Sequence, residues 1–268
     1  MRTRYISLAF IFLLIAGCSS VFVSQDSAPR NPPRDLASVP NAVPKVEPVT
    51  KAGNPSTYVV RGKRYYTKKS SKGFIQRGVA SWYGTKFHGR KTSNGERYDM
   101  YAMTAAHKTL PIPTYVEVTN LHNGKKIIVR VNDRGPFESN RIIDLSYTAA
   151  HKLGILGKGT GLVEIRAIDP RTPESDKPVQ VRAPEPATPV ATSLYLQVGA
   201  FSERTNAEEL RSWLQTSLES GVKVDSVDQK KQPLYRVKVG PIETVEEIDR
   251  LSGQLASLGI KTPQVIID

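Results

Sequence analysis

The chain has 268 residues, a net charge of +13 and a single cysteine, which leaves room for one or two domains with real cores and excludes an internal disulfide framework. The charge is uneven: residues 1–73 carry 12 Lys/Arg against 3 Asp/Glu, residues 74–170 carry 14 against 8, and residues 194–268 carry 9 against 11. A nucleic-acid protein concentrates cationic charge on its binding domain, whereas here much of the excess lies in a proline-containing N-terminal stretch, as suits a tether near an anionic membrane or wall.

Arg2 and Arg4 precede a mainly apolar run from Ile6 to Ala16. Its length fits the roughly 7 to 15 residues of a secretory signal and falls short of the ~20 that a spanning helix needs. Residues 1–17 therefore read as a signal peptide. The stretch LLIAGCSS resembles the lipobox of bacterial lipoproteins, which implies lipidation of Cys18 and cleavage in front of it. Several acyl chains make such an anchor effectively permanent. Ser19, directly after the cysteine, resembles lipoproteins sorted to an outer membrane. Residues 18–57 then read as a disordered tether, because 19–57 hold seven prolines and no sustained apolar periodicity. A random coil of that length reaches ~35 Å. Residues 58–73 suggest a short hairpin with a basic flank, turning at Gly62.

Residues 74–169 form the first globular segment. GVASWY (78–83) and TYVEVTN (114–120) read as strands, Asn123-Gly124 signals a hairpin, and KKIIVRVN (125–132) follows with period-two alternation. Ser146 opens a short helix that Gly154 closes, and LVEIRAI (162–168) is a last strand. Short strands with frequent turns and little helix indicate a small β-barrel or sandwich. Residues 170–193, rich in proline, read as a second linker.

The C-terminal segment, 194–268, alternates as β-α-β-β-α-β, the ferredoxin-like order. Period two in its first strand sends Leu194, Leu196, Val198 and Ala200 to one face, and Tyr195, Gln197, Gly199 and Phe201 to the other. With the helices on the more apolar side, an open face is expected to carry Tyr195, Gln197, Arg236 and Lys238. An aromatic among amides and cations is what sugar or base stacking uses.

These segments resemble a known family. GVASWYG (78–84), FHGRKTSNGERYD (87–99), TAAHKTLP (104–111), VTNL (118–121), VRVNDRGPF (129–137) and RIIDLS (141–146) resemble the rare lipoprotein A (RlpA) family, and YLQVGAFS (195–202) and YRVKVGP (235–241) resemble a SPOR domain. The resemblance implies a six-stranded double-psi β-barrel followed by an α+β SPOR domain. It also implies a septal lytic transglycosylase that prefers peptidoglycan glycan stripped of its stem peptides and needs no cofactor. Such a reaction cleaves between N-acetylmuramic acid and N-acetylglucosamine and ends in a 1,6-anhydro sugar. One carboxylate suffices as acid and then base, where a hydrolase ordinarily needs two.

On these grounds Asp133, at a strand end before Gly135-Pro136, is expected to be the acid/base. Glu96, Asp99 and His107 match the polar positions that the family clusters with it, and Asp144 is expected to shape the site. The bland readings are that Glu96 and Asp99 pair with neighbouring arginines and that His107 is a satisfied structural histidine. The histidine spacing does not point to a metal site. The expected partners are denuded glycan strands and, through Cys18, a membrane, with no nucleic acid. The alternative is a non-catalytic, septal glycan-binding lipoprotein, since a fold alone does not certify turnover.

Overall fold

The computed structural model describes residues 26–138, 140–171, 194–229, 232–261 and 263–267. The expected signal peptide, Cys18 and most of the expected second linker lie outside the described residues. Among the described residues no helix is long and apolar enough to cross a membrane.

A two-stranded hairpin, β1 (Thr57–Val60) and β2 (Lys63–Tyr66), leads into the barrel. Its strands are β3 (Ile75–Tyr83), β4 (Thr104–His107), β5 (Thr114–Asn120), β6 (Lys126–Asp133), β7 (Arg141–Ser146) and β8 (Thr160–Ile168), closed in the order β3-β7-β4-β6-β5-β8. The β3/β7 and β4/β6 pairs are parallel, and antiparallel β4/β7 joins them. Inward side chains such as Ala80, Ala105, Val129, Val131, Ile143 and Leu145 are fully buried, so the barrel is a packed core and its chemistry must lie outside it. The expected helix is α1 (Tyr147–Leu153). The Ser146 hydroxyl accepts the Ala149 amide at 3.2 Å, and Gly154 ends the helix at φ 78°, as a left-handed C-terminal residue requires.

Residues 26–56 differ from the expected free tether: they run as an irregular strap along the barrel. Leu36, 4% exposed, packs with Tyr83, Tyr98, Met100 and Tyr147. The Ala42 amide donates to the Ile128 carbonyl at 3.1 Å and the Thr50 amide to the Ile112 carbonyl at 3.0 Å. Proline density signals the absence of helix and strand, but it does not exclude an extended chain whose polar groups find partners elsewhere. The hairpin is likewise docked, with Tyr58 and Tyr65 stacked at 5.2 Å and both edge-on to Phe137.

The C-terminal domain comprises β9 (Leu194–Phe201), α2 (Arg204–Ser217), β10 (Val222–Gln229), β11 (Gln232–Ile242), α3 (Val245–Ser257) and β12 (Gln264–Ile267), with sheet order β10-β11-β9-β12. Leu196, Val237 and Val239 meet Leu214, Leu251 and Leu255 in one core. One face assignment needs correcting. A register shift lies where Lys238 pairs with Gln197 but Val237 with Gly199, which reverses the phase of β9 beyond Gln197. Phe201 and Gly199 therefore turn to the helices, and Ala200 faces out. An added Cβ at Gly199 would meet Leu210 at 3.0 Å and Phe201 at 2.7 Å.

Candidate active site

The register of the barrel aligns four residues across adjacent strands: Ser81 on β3, Asp144 on β7, Ala106 on β4 and Asp133 on β6. Directly opposed residues point to the same side of a sheet. The fully buried Ala105, Ile143 and Leu145 beside them point inward, so these four point to the outer side of the barrel. Asp133 reaches this row because of an irregularity. Ala105 pairs with Val131 but Ala106 with Asp133, so Asn132 is an extra residue in β6, and the bulge brings Asp133 round to the outer side. The two aspartates stand two strands apart, ~10 Å between backbones, with Ala106 between them in the row.

Their surroundings differ. Asp133 Oδ1 accepts from the Ser93 amide (2.8 Å), the Ser93 hydroxyl (2.5 Å) and the Arg134 amide (2.7 Å). Asp144 Oδ1 accepts from the Ser81 hydroxyl. Gly135 passes over its other oxygen, a Cβ at Gly135 lying 3.7 Å from Oδ2 and 3.6 Å from the Ala106 methyl. With φ at 149°, that position suits glycine on backbone grounds too. Burial pushes the Asp144 carboxyl up to about 6, against the Ser81 hydrogen bond and the cations Arg141 and Lys108. Lys108 is itself lowered to about 8 by burial and by Lys63. Its ammonium donates to the Arg141 carbonyl at 2.6 Å.

Glu96 sits on the loop that carries Ser93. Arg130 Nη1 donates to both its oxygens at 2.9 Å, and Asn132 Nδ2 donates to Oε2 at 2.9 Å. Burial works to raise this carboxyl, but those hydrogen bonds outweigh it and leave it below the usual carboxylate range. Asp99 is further out, accepting the Tyr101 amide at 2.9 Å and lying 3.8 Å from His88. Glu96 and Asp133 are thus joined through the 93–96 loop and the Asn132 bulge, and Asp144 lines up with Asp133.

His107 does not join them. Alternation along β4 turns it away from the Ala106 side, and it is 2% exposed, edge-on to Phe74 at 5.4 Å. Its Nδ1 accepts the Thr109 and Leu110 amides at 3.1 and 3.0 Å. Burial, helped by Arg134 and Lys108, pushes it down to about 3, so it is a neutral, turn-holding histidine. Arg134 also points away: Nη1 donates to the His107 and Leu110 carbonyls, Nε to Gly53 and Nη2 to Asn54. The cations that act on Asp144 are therefore Arg141 and Lys108.

The face of the C-terminal sheet away from its helices is less open than expected: Tyr195 and Lys238 are buried, at 8% and 5% exposed. Lys238 Nζ lies 2.9 Å from Asp225, and Lys223 Nζ sits 3.9 Å from the Tyr195 ring centroid. Register pairs Lys238 with Gln197 and Arg236 with Ala200, so the four expected residues share this face. Sequence reasoning missed Lys223 and Asp225, although both fall at outward positions of β10 opposite Lys238 and Arg236. It also missed Ser81 and Arg130, for which only the register and the folded loops supply the signal.

A closed six-stranded barrel followed by a βαββαβ domain is the architecture of a two-domain protein that its sequence matches place in the lytic transglycosylase class. Residues 75–165 match the family model described as lytic transglycolase, and residues 191–267 match the SPOR domain. The chain is 39% identical over 280 residues to the endolytic peptidoglycan transglycosylase RlpA of Pseudomonas aeruginosa strain UCBPP-PA14, covering 87% of this chain and 82% of that protein. It is 54% identical over 172 residues to the protein of the same name from Vibrio cholerae, covering 63% of this chain and 65% of that one. The crystal structure of the RlpA SPOR domain from Pseudomonas aeruginosa is 34% identical, covers 27% of this chain and 96% of that chain, and superposes with a TM-score of 0.26. The chain belongs to the RlpA family of lytic transglycosylases.

Proposed function

We propose that this lyase cleaves peptidoglycan glycan strands endolytically between N-acetylmuramic acid and N-acetylglucosamine, and that Asp144 carries the proton. The supporting observation is the placement of Asp144: a carboxyl on the groove floor, withdrawn from water beneath Gly135 and raised to about 6. A group titrating there is protonated often enough to donate near neutral pH and basic enough afterwards to accept. Asp144 gives its proton to the departing glycosidic oxygen. The C6 hydroxyl then attacks the anomeric carbon, and its proton returns to Asp144, so that a 1,6-anhydro ring forms without water. Arg141 and Lys108 stabilise the carboxylate between the two transfers.

Asp133, expected from the sequence to be the acid, is held through Oδ1 by the Ser93 amide and hydroxyl and the Arg134 amide, and in this reading it faces the developing oxocarbenium ion. Glu96 and Asp99 form the adjoining wall, and His107 supports the turn behind it. Tyr195, Gln197, Arg236 and Lys238 bind glycan on the C-terminal sheet. The preference for strands lacking stem peptides, action at the division septum and an outer-membrane anchor on Cys18 complete the reading, on the strength of the family resemblance and the lipobox.

Products released from purified sacculi, with and without prior amidase treatment, test it by mass spectrometry. Anhydro-muramyl ends that vanish in Asp144→Asn and persist at a reduced rate in Asp133→Asn support the assignment. Undiminished release by Asp144→Asn would refute it.

A further inference from the structure

The strap carries a charged residue, Glu47, whose position reaches the groove through one arginine. Arg130 offers its Nε and Nη2 to Glu47 Oε1 and Oε2 at 2.9 and 2.8 Å, and its Nη1 to Glu96. Its side chain is 18% exposed and that of Glu47 19%. The Tyr115 hydroxyl donates to Glu47 Oε1 at 2.5 Å, which fixes the carboxylate from the barrel side. A guanidinium is a rigid plane, so gripping one edge with a bidentate carboxylate sets where the opposite nitrogen points.

We infer that Glu47, on a segment outside both matched domains, is a positioning residue that sets the geometry and charge of Glu96 through Arg130. The inference rests on the proposed reading only in placing Glu96 beside the reaction groove. The groups facing Glu96 are Arg130, Asn132 and Asn94, and those facing Glu47 are Arg130, Tyr115 and Lys45. Glu47, Arg130 and Glu96 together carry one net negative charge, so Arg130 is divided between two carboxylates. With Glu47 neutral, Arg130 acts on Glu96 alone and a like charge is gone, and both changes favour ionised Glu96. A segment that served only as packing would leave that ionisation unchanged.

The test uses the full chain with ¹³C-labelled glutamate carboxyls, Glu96 being assigned by its loss in Glu96→Gln. In Glu47→Gln the Glu96 midpoint should fall by roughly half a unit or more, with circular dichroism unchanged. An unmoved Glu96 midpoint in folded Glu47→Gln overturns the inference. Should that variant unfold, Tyr115→Phe removes one bond to Glu47 and no charge. A smaller displacement of the Glu96 resonance then supports the inference, and an identical titration overturns it. The titration is read without substrate, so a wild-type chain that released no anhydro product would refute the proposed function and leave this result standing.

Discussion

The groove of the barrel and the open face of the C-terminal sheet both set aspartates on the outer side of strands, and they treat them in opposite ways. Asp144 has a serine hydroxyl for its hydrogen bond, a glycine overhead and cations at longer range, and burial raises it to about 6. Asp225 also meets some burial, but its hydrogen bond and ion pair with Lys238, and Lys223 beyond, hold it below the usual carboxylate range. In the proposed function the first arrangement keeps a proton available for transfer. The second neutralises charge so that a surface can meet a long ligand without a large desolvation cost.

The contrast breaks first, if it breaks, in activity. Asp144→Asn should slow anhydro-product release by about 10²–10⁴-fold, the usual range for a lost general acid/base, whereas Asp225→Asn should leave the maximal rate unchanged. A comparable loss of maximal rate in Asp225→Asn would show that the two faces do not divide the work as described.

Stability against pH sharpens the same contrast, because the two signs differ. With its folded value raised to about 6 from 3.8, Asp144 binds more protons folded than unfolded between those values. It therefore removes stability as pH rises through that window, by up to about 3 kcal/mol. Asp225, lowered on folding, contributes stability at neutral pH that fades as pH falls below the ordinary aspartate value. Denaturant titrations at pH 4 and pH 7 should find Asp144→Asn more stable than wild type at pH 7 and little changed at pH 4. For Asp225→Asn they should find a deficit at pH 7 that shrinks in acid.

Two smaller effects belong to the C-terminal face. Lys238→Met, which removes the cation paired with Asp225, should weaken pelleting of the chain with insoluble glycan by roughly tenfold, about 1.4 kcal/mol, without altering cleavage of short soluble fragments. Lys223→Ala uncovers the Tyr195 ring and forfeits a cation–π contact worth about 0.5–1 kcal/mol. A few-fold change in the same assay is expected.

What the sequence made legible was local. The Asn123-Gly124 turn, the Ser146 cap and the Gly154 stop all appear as read, because each rests on hydrogen bonds within a few residues. The βαββαβ order followed from alternating periods, but the phase of β9 did not, since a bulge leaves no mark in composition. β4 and β7 were carried by the family resemblance rather than by periodicity. Four residues of TAAH are too few for a pattern, and β7 is defined by non-local pairing with β3 and β4. The candidate site divides in the same way. Its residue types were visible, but the different settings of the two aspartates depend on the Asn132 bulge and on Gly135 lying over Asp144, and His107 is withdrawn by the simple alternation of β4. Residues 26–56 hid their order behind prolines, their bonds being to partners as far off as Arg134.

The docking of that strap changes how far the enzyme can travel. Asp26 is bound to the Gly84 and Lys86 amides at 2.7 and 3.0 Å, only eight positions after Cys18. For a lipid on Cys18, as proposed, eight positions separate the lipid from the docked Asp26, a span of ~28 Å at most. The cutting groove would then patrol a thin layer beside the bilayer, and deeper wall would come within range only by lengthening that leash or peeling the strap from the barrel.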